Sequence, residues 1–168
     1  MKRWKVRRTL LIVGEGRHEE AFLKHVKQLF VQREGDLKVT LKQAGGKGAQ
    51  HVVDWTVRQT ANTSYDQVAA LLDTDTDWNA SVAKKAKLKK ITVLTSDTCL
   101  EAMLLRILGK VPIGDAKSLK KQFAPYVNQD ATCHENYAEH FGKDRLLVAR
   151  ATEPTIDALL KLLGSEGE

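Results

Sequence analysis

The chain predicts an α/β fold, an open and mainly parallel sheet of about four strands flanked by helices, with a helical C-terminal extension. Three observations predict it. Residues 9–13 (TLLIV) are apolar without alternation, as in a strand buried on both faces of a parallel sheet. Strand-like and helix-like periodicities then take turns, as crossover connections require. Finally, 168 residues with 42% hydrophobic content suffice for one domain with a core and fall short of two.

The first strand breaks at Gly14-Glu15-Gly16, a tight turn. Ala21, Phe22, His25, Val26, Leu29 and Phe30 then recur at helical spacing, and Gly35 closes that helix. Residues 37–41 alternate as a second strand, ended by the glycine-rich residues 45–48. Val52, Val53, Trp55 and Val57 set a second helix over residues 50–61. A third strand, residues 65–72, runs into Asp73, and after a further helix residues 91–94 form a fourth. Residues 98–108 read as an apolar helix, 109–114 as a break, and 116–163 as helical segments with a short strand at 146–149. Residues 1–110 are thus expected to hold the sheet, and 111–168 a helical extension of the same domain.

The formal charge is +6, and many of the 27 Lys and Arg cluster, as in residues 2–8 and 84–90. Such a balance suits a polyanion, nucleic acid above all, although a solubilising surface has the same composition. Two cysteines build neither a disulfide framework nor a four-cysteine zinc site, so a reducing cytoplasm is the expected compartment. No apolar run approaches the roughly 20 residues of a membrane span, and the basic N-terminus lacks a signal-peptide core. A soluble, unprocessed protein is expected.

Functional groups in an open parallel sheet gather beyond the carboxyl ends of the strands. Glu15 follows the first strand, and the third ends in Leu72-Asp73-Thr74-Asp75-Thr76-Asp77. Asp73 and Asp75 are two apart, so an extended strand end directs both to one side. Like charges gathered there stay ionised when a divalent cation joins them, and hard oxygen donors favour Mg²⁺ or Mn²⁺. The plainer alternative for residues 73–77 is a polar turn capping the following helix.

These residues resemble the TOPRIM domain of topoisomerases, primases and OLD-type nucleases: a Glu in a strand-to-helix turn, then an Asp-x-Asp after a later strand. The run IVGEGRHEEAFL, residues 12–23, is similar to the RloB branch, small TOPRIM-like proteins associated with phage defence. LTSDTCLEAMLL, residues 94–105, resembles that branch's later strand and glutamate-bearing helix, although Thr98 and Leu100 stand where it has a proline and an aromatic. The resemblance covers about residues 9–108. It implies Mg²⁺-dependent phosphodiester hydrolysis on DNA or RNA, tRNA included, with a co-encoded ATPase as a further partner. Glu15, Asp73 and Asp75 would be catalytic, and Glu15, Glu19, Asp73, Asp75 and Glu101 would hold metal. For Glu19 the alternative is a solvent-facing helix residue, and for Glu101 a capping box with Thr98. Arg17, Lys47, Lys84, Lys85 and Lys87 would track the nucleic acid. Trp78 is the best placed of the tryptophans to contact a base, with Trp55 more suited to the core and Trp4 a third candidate.

Rival readings remain. Asp73-x-Asp75-x-Thr also resembles the first motif of haloacid-dehalogenase-like phosphatases, with Asp73 as nucleophile and Asp75 as proton donor. A TOPRIM-like binding module that holds nucleotide or nucleic acid without cutting it would keep the same acidic rim. Residues 45–49 (GGKGA) suggest a phosphate cradle but lack the P-loop spacing. Cys99 near His134 or His140 would suggest thiol chemistry, against the commoner inert apolar cysteine.

Overall fold

The computed structural model describes residues 7–166; Trp4 and most of the basic cluster at 2–8 lie outside the described residues. The chain alternates β1 (Arg8–Gly14), α1 (Arg17–Phe30), β2 (Leu37–Gln43), α2 (Ala49–Asn62), β3 (Gln67–Asp73), α3 (Ala80–Leu88) and β4 (Ile91–Ser96). It then runs through α4 (Leu100–Ile107), α5 (Ala116–Phe123), α6 (Lys143–Ala149) and α7 (Pro154–Leu162), with short 3-10 turns at Ala124–Val127 and His134–Tyr137. All strands are parallel, in the order β2-β1-β3-β4. The expected fold class is the observed one.

Strand alternation divides the core into two layers. Leu10 and Ile12 of β1, with Leu71 and Leu94, face α1 and α4; Leu11 and Val13, with Ala70 and Leu72, face α2 and α3. Burial of β1 on both faces is why its sequence shows no alternation. The extension belongs to the first layer: Phe123, Val127, Tyr137, Phe141, Leu146, Ile156 and Leu160 join the same cluster as Phe22 and Leu104. His25, buried on α1, donates from Nε2 to Phe141 O at 2.6 Å. Arg106 of α4 clasps Glu153, ahead of α7, through Nε and Nη2 at 2.7 and 3.1 Å, a two-pronged pair that pins the extension to the sheet domain.

One expected element is corrected. Residues 146–149 are helical, within α6, because burial follows helical spacing: Leu146 and Ala149 are buried while Leu147 and Val148 face out. A four-residue apolar run does not by itself choose between the two periods.

Candidate functional site

The strand order creates the site. From β1 the chain moves outward to β2 and then returns to place β3 on the other side, so a crevice opens above the carboxyl ends of β1 and β3. Glu15 follows β1 directly and Asp73 is the last residue of β3. The two ends hold each other: Glu15 N donates to Leu71 O at 3.0 Å, and Asp73 N donates to Glu15 Oε2 at 2.9 Å.

Why Glu15 stands between glycines is now answerable. A Cβ on Gly14 would lie 2.8 Å from Glu19 Cβ and 3.1 Å from Glu20 N, so only glycine lets the first turn of α1 close onto the end of β1. Gly16 is the N-cap of α1. Its N–H donates to Glu19 Oε2 at 2.9 Å, which folds Glu19 back toward the crevice and buries it. Glu19 is therefore not a solvent-facing helix residue.

A fourth carboxylate arrives from α4. Asp73 Oδ1 accepts from Leu100 N at 3.0 Å and so caps α4 from across the sheet. Glu101, in the first turn, is buried at 3% exposure and accepts from His18 Nδ1 at 2.7 Å. The capping box between Thr98 and Glu101 does not form: Cys99 is the N-cap, and Asp73 does the capping.

Glu15, Glu19, Asp73 and Glu101 thus line one crevice of about 310 Å³, with Arg17, His18, Gly46, Lys120 and Thr132 at its walls. Burial and mutual repulsion disfavour the charged acids. Asp73 is pushed up to about 9, by burial first and then by Glu19, Glu15 and Glu101. Burial also raises Glu19 and Glu15, the backbone N–H of Asp73 partly offsetting it at Glu15. Burial raises Glu101 too, but the His18 hydrogen bond and charge outweigh it and hold Glu101 below the usual range. The same bond raises His18. Held protons belong to the cluster as a whole, since its members interact strongly.

The donor set suits a hard divalent cation: carboxylate oxygens only, too many to ionise together without one. Among the described residues no three Asp, Glu, His or Cys side chains stand ready to hold an ion together. Glu15, Glu19 and Asp73 each accept from a backbone N–H and Glu101 from His18. A carboxylate accepts about four hydrogen bonds, so each keeps capacity to spare. Beside Asp73 in the register, the buried Ser96 hydroxyl has no hydrogen-bond partner among the described residues.

Asp75 departs from expectation. β3 ends at Asp73, so strand alternation does not carry through; Asp75 N and Thr74 N both donate to Thr98 O, and the Asp75 side chain is exposed. It does not line the crevice with Asp73, although its charge contributes to raising Glu15 and Asp73. Capping in this stretch falls to other residues. Asn79 Oδ1 accepts from Val82 N at the start of α3, while Asp77 reaches back to accept from Ala49 N at 2.6 Å and Gln50 N at 3.2 Å at the start of α2. The loop at 45–48 sends only Gly46 into the crevice, and the α2 amides that would cradle phosphate are engaged by Asp77.

The expected nucleic-acid contacts scatter. Arg17 lines the crevice, and Lys47 and Lys84 are exposed. Lys85 pairs with Asp54. Trp78 and Lys87 share a separate cleft with Lys90 beside β4, at the sheet's far edge. Trp55 packs on the second core layer, as its helical setting suggests. Cys99 is buried and pushed up to about 12, chiefly by that burial, which leaves it unreactive. Three crevice residues escape sequence reasoning. His18 lies inside the resembling motif but matches no expected role, while Lys120 and Thr132 come from the extension, beyond the resemblance.

Comparison of the chain with protein-family models, curated proteins and solved structures found no match in any of the three. Among the described residues no helix is long and apolar enough to cross a membrane.

Proposed function

We propose that this chain is a divalent-metal-dependent nuclease of the TOPRIM-like, RloB-related kind, hydrolysing phosphodiesters of DNA or RNA in phage defence, with a co-encoded ATPase as partner. One observation carries the reading: four carboxylates from three separate segments meet in the crevice where the strand order reverses. Glu15, Glu19, Asp73 and Glu101 would hold Mg²⁺ or Mn²⁺. When bound, the metal would supply positive charge to the reacting phosphate and a more acidic water.

The chain's own residues have distinct parts. Glu15 and Asp73, clasped through the Asp73 amide, fix the spacing of the two strand ends. His18, with Nδ1 committed to Glu101 and its charged form favoured, keeps Nε2–H for a phosphate oxygen. Arg17 and Lys120 bring positive charge to an otherwise acidic crevice and favour entry of a phosphate. The phosphatase reading loses support because Asp75, its proton donor, stands outside the crevice.

A second reading draws on a specific observation. Each crevice carboxylate already has a hydrogen-bond donor, as suits a module that binds nucleic acid without cutting it. Incubation of the full chain with labelled tRNA, single-stranded DNA and duplex DNA, with and without Mn²⁺ and the co-encoded ATPase, separates the two. The nuclease reading expects Mn²⁺-dependent cleavage of at least one substrate, reduced at least about 100-fold in Glu15→Gln. Binding without cleavage under every condition selects the binding module.

A further inference from the structure

Another cleft, about 540 Å³, lies at the other end of the sheet, between the last turns of α1 and the start of β2. Lys24, Lys27 and Gln28 line it from α1, their spacing of three and four residues being that of one helix face, and Val31 adds to it just past the helix end. Leu37, Lys38 and Val39 contribute from β2, Arg33 from the connection between them, and Arg7 from just before β1. Five cationic side chains therefore surround a floor that includes Val31, Leu37 and Val39.

These cations are not consumed by neighbouring acids. Lys27 Nζ donates to Val39 O at 2.9 Å, tying α1 to the edge strand. Arg7, Lys24, Arg33 and Lys38 are exposed, and none forms an ion pair with a described residue. The acids of the same connection, Glu34 and Asp36, temper the field, but the cationic heads outnumber them. Exposed Lys and Arg heads match phosphate oxygens spaced along a chain, the commonest contact that proteins make to nucleic acid.

α1 joins this cleft to the acidic crevice. Arg17 at its start lines the crevice, and Lys24 and Lys27 in its second half line the basic cleft. At about 1.5 Å per residue the helix separates Arg17 from Lys24 and Lys27 by about 10–15 Å, about three to four phosphates along one strand of a duplex.

We propose that the basic cleft binds the sugar–phosphate backbone of a nucleic acid, a contact remote from the crevice that holds the polymer along α1. The choice of the same polymer for both sites rests on the nuclease reading; binding at the cleft does not require cleavage. Lysines on an edge strand also have a purely protective use, since they discourage pairing with another sheet edge. The experiment has to tell these apart.

Fluorescence anisotropy of labelled single-stranded and duplex oligonucleotides, in EDTA so that no cleavage intervenes, would be compared for the wild type and the combined variant Lys24→Gln, Arg33→Gln, Lys38→Gln. All three side chains are exposed, and a melting curve and size-exclusion profile would establish that the variant remains folded. The expected result is at least about a tenfold loss of affinity, with the slope of log K against log salt shallower by about two to three, as for the loss of three phosphate contacts. An unchanged affinity, with or without self-association of the variant, would overturn the proposal, as would a wild type that binds no nucleic acid. Displacement of the oligonucleotide by inorganic tripolyphosphate at equal phosphate concentration would also overturn it, by making the ligand a free polyphosphate. A wild type that binds through the cleft yet never cuts in Mn²⁺ would refute the nuclease reading alone; one that cuts while the combined variant binds normally would refute the cleft alone.

Discussion

Asp73 carries a heavy electrostatic load in the crevice. It folds with a carboxyl pushed up to about 9, against 3.8 in the unfolded chain, so between those values the folded state binds a proton that the unfolded state releases. Stability from this group is full below pH 3.8 and is lost as pH rises through about 9. Asp73→Asn, which keeps an oxygen for the Leu100 amide, should raise Tm near neutral pH by about 2–4 °C, the equivalent of about 1 kcal/mol in a domain this size. It should also flatten the fall in Tm between pH 6 and 9, measured by calorimetry without divalent metal. A variant less stable than the wild type across that range would contradict the repulsion account. His18 behaves differently: its imidazolium gains the ionised Glu101, so stability from the pair is full between pH 4.5 and 6.5, is lost as pH rises through the raised His18 value, and is lost again as pH falls through the lowered Glu101 value. NMR titration should show the His18 pKa falling in Glu101→Gln, and an unmoved value would mean that the hydrogen bond does not form in solution. Of these residues Glu15 and Asp73 were legible in the sequence because each terminates an apolar strand. The His18–Glu101 pair was not, since it joins residues 83 apart where the first turns of α1 and α4 meet at the crevice.

At the scale of elements, the turn from β1 into α1 sets the crevice. Gly14→Ala would press a methyl against Glu19 Cβ and the Glu20 amide, and α1 would have to move outward. The expected cost is about 1–3 kcal/mol, typical of overpacking, together with weaker Mn²⁺ binding as Glu19 is displaced. Chemical denaturation and titration would check the two effects; a neutral substitution in both would show that the turn tolerates a side chain. β1 and β3 could be read from sequence because parallel strands buried on both faces are continuous apolar runs, and the edge strand β2 because its partial burial leaves an alternating pattern. The end of β3 could not be. Asp-Thr-Asp-Thr-Asp continues an alternating pattern, yet the backbone turns after Asp73: Thr74 N is shared between Ser96 O, the end of β4, and Thr98 O, and Asp75 N donates to the same Thr98 O. That single turn separates the expected Asp75 from the crevice and leaves Asp77 to cap α2.

For the whole molecule, the extension is part of the fold and of the site. Tyr137, Phe123 and Phe141 cluster with Phe22, their ring centroids 5.9–6.5 Å apart, and Lys120 and Thr132 wall the crevice. A chain cut after residue 110 would expose this apolar face and should fail to fold cooperatively; Phe141→Ala in the full chain should cost about 3–5 kcal/mol. A truncated chain with a sharp melting transition would show the sheet domain to be autonomous. The most direct measurement of the central claim is calorimetric titration of Mn²⁺ into the full chain at pH 7, repeated in buffers of differing ionisation enthalpy. Because Asp73 and its neighbours must give up protons to bind a cation, the account predicts binding accompanied by proton release, tightening as pH rises, and lost in the double variant Glu15→Gln, Asp73→Asn. No Mn²⁺ binding by the wild type, or the same binding in the double variant, would contradict it.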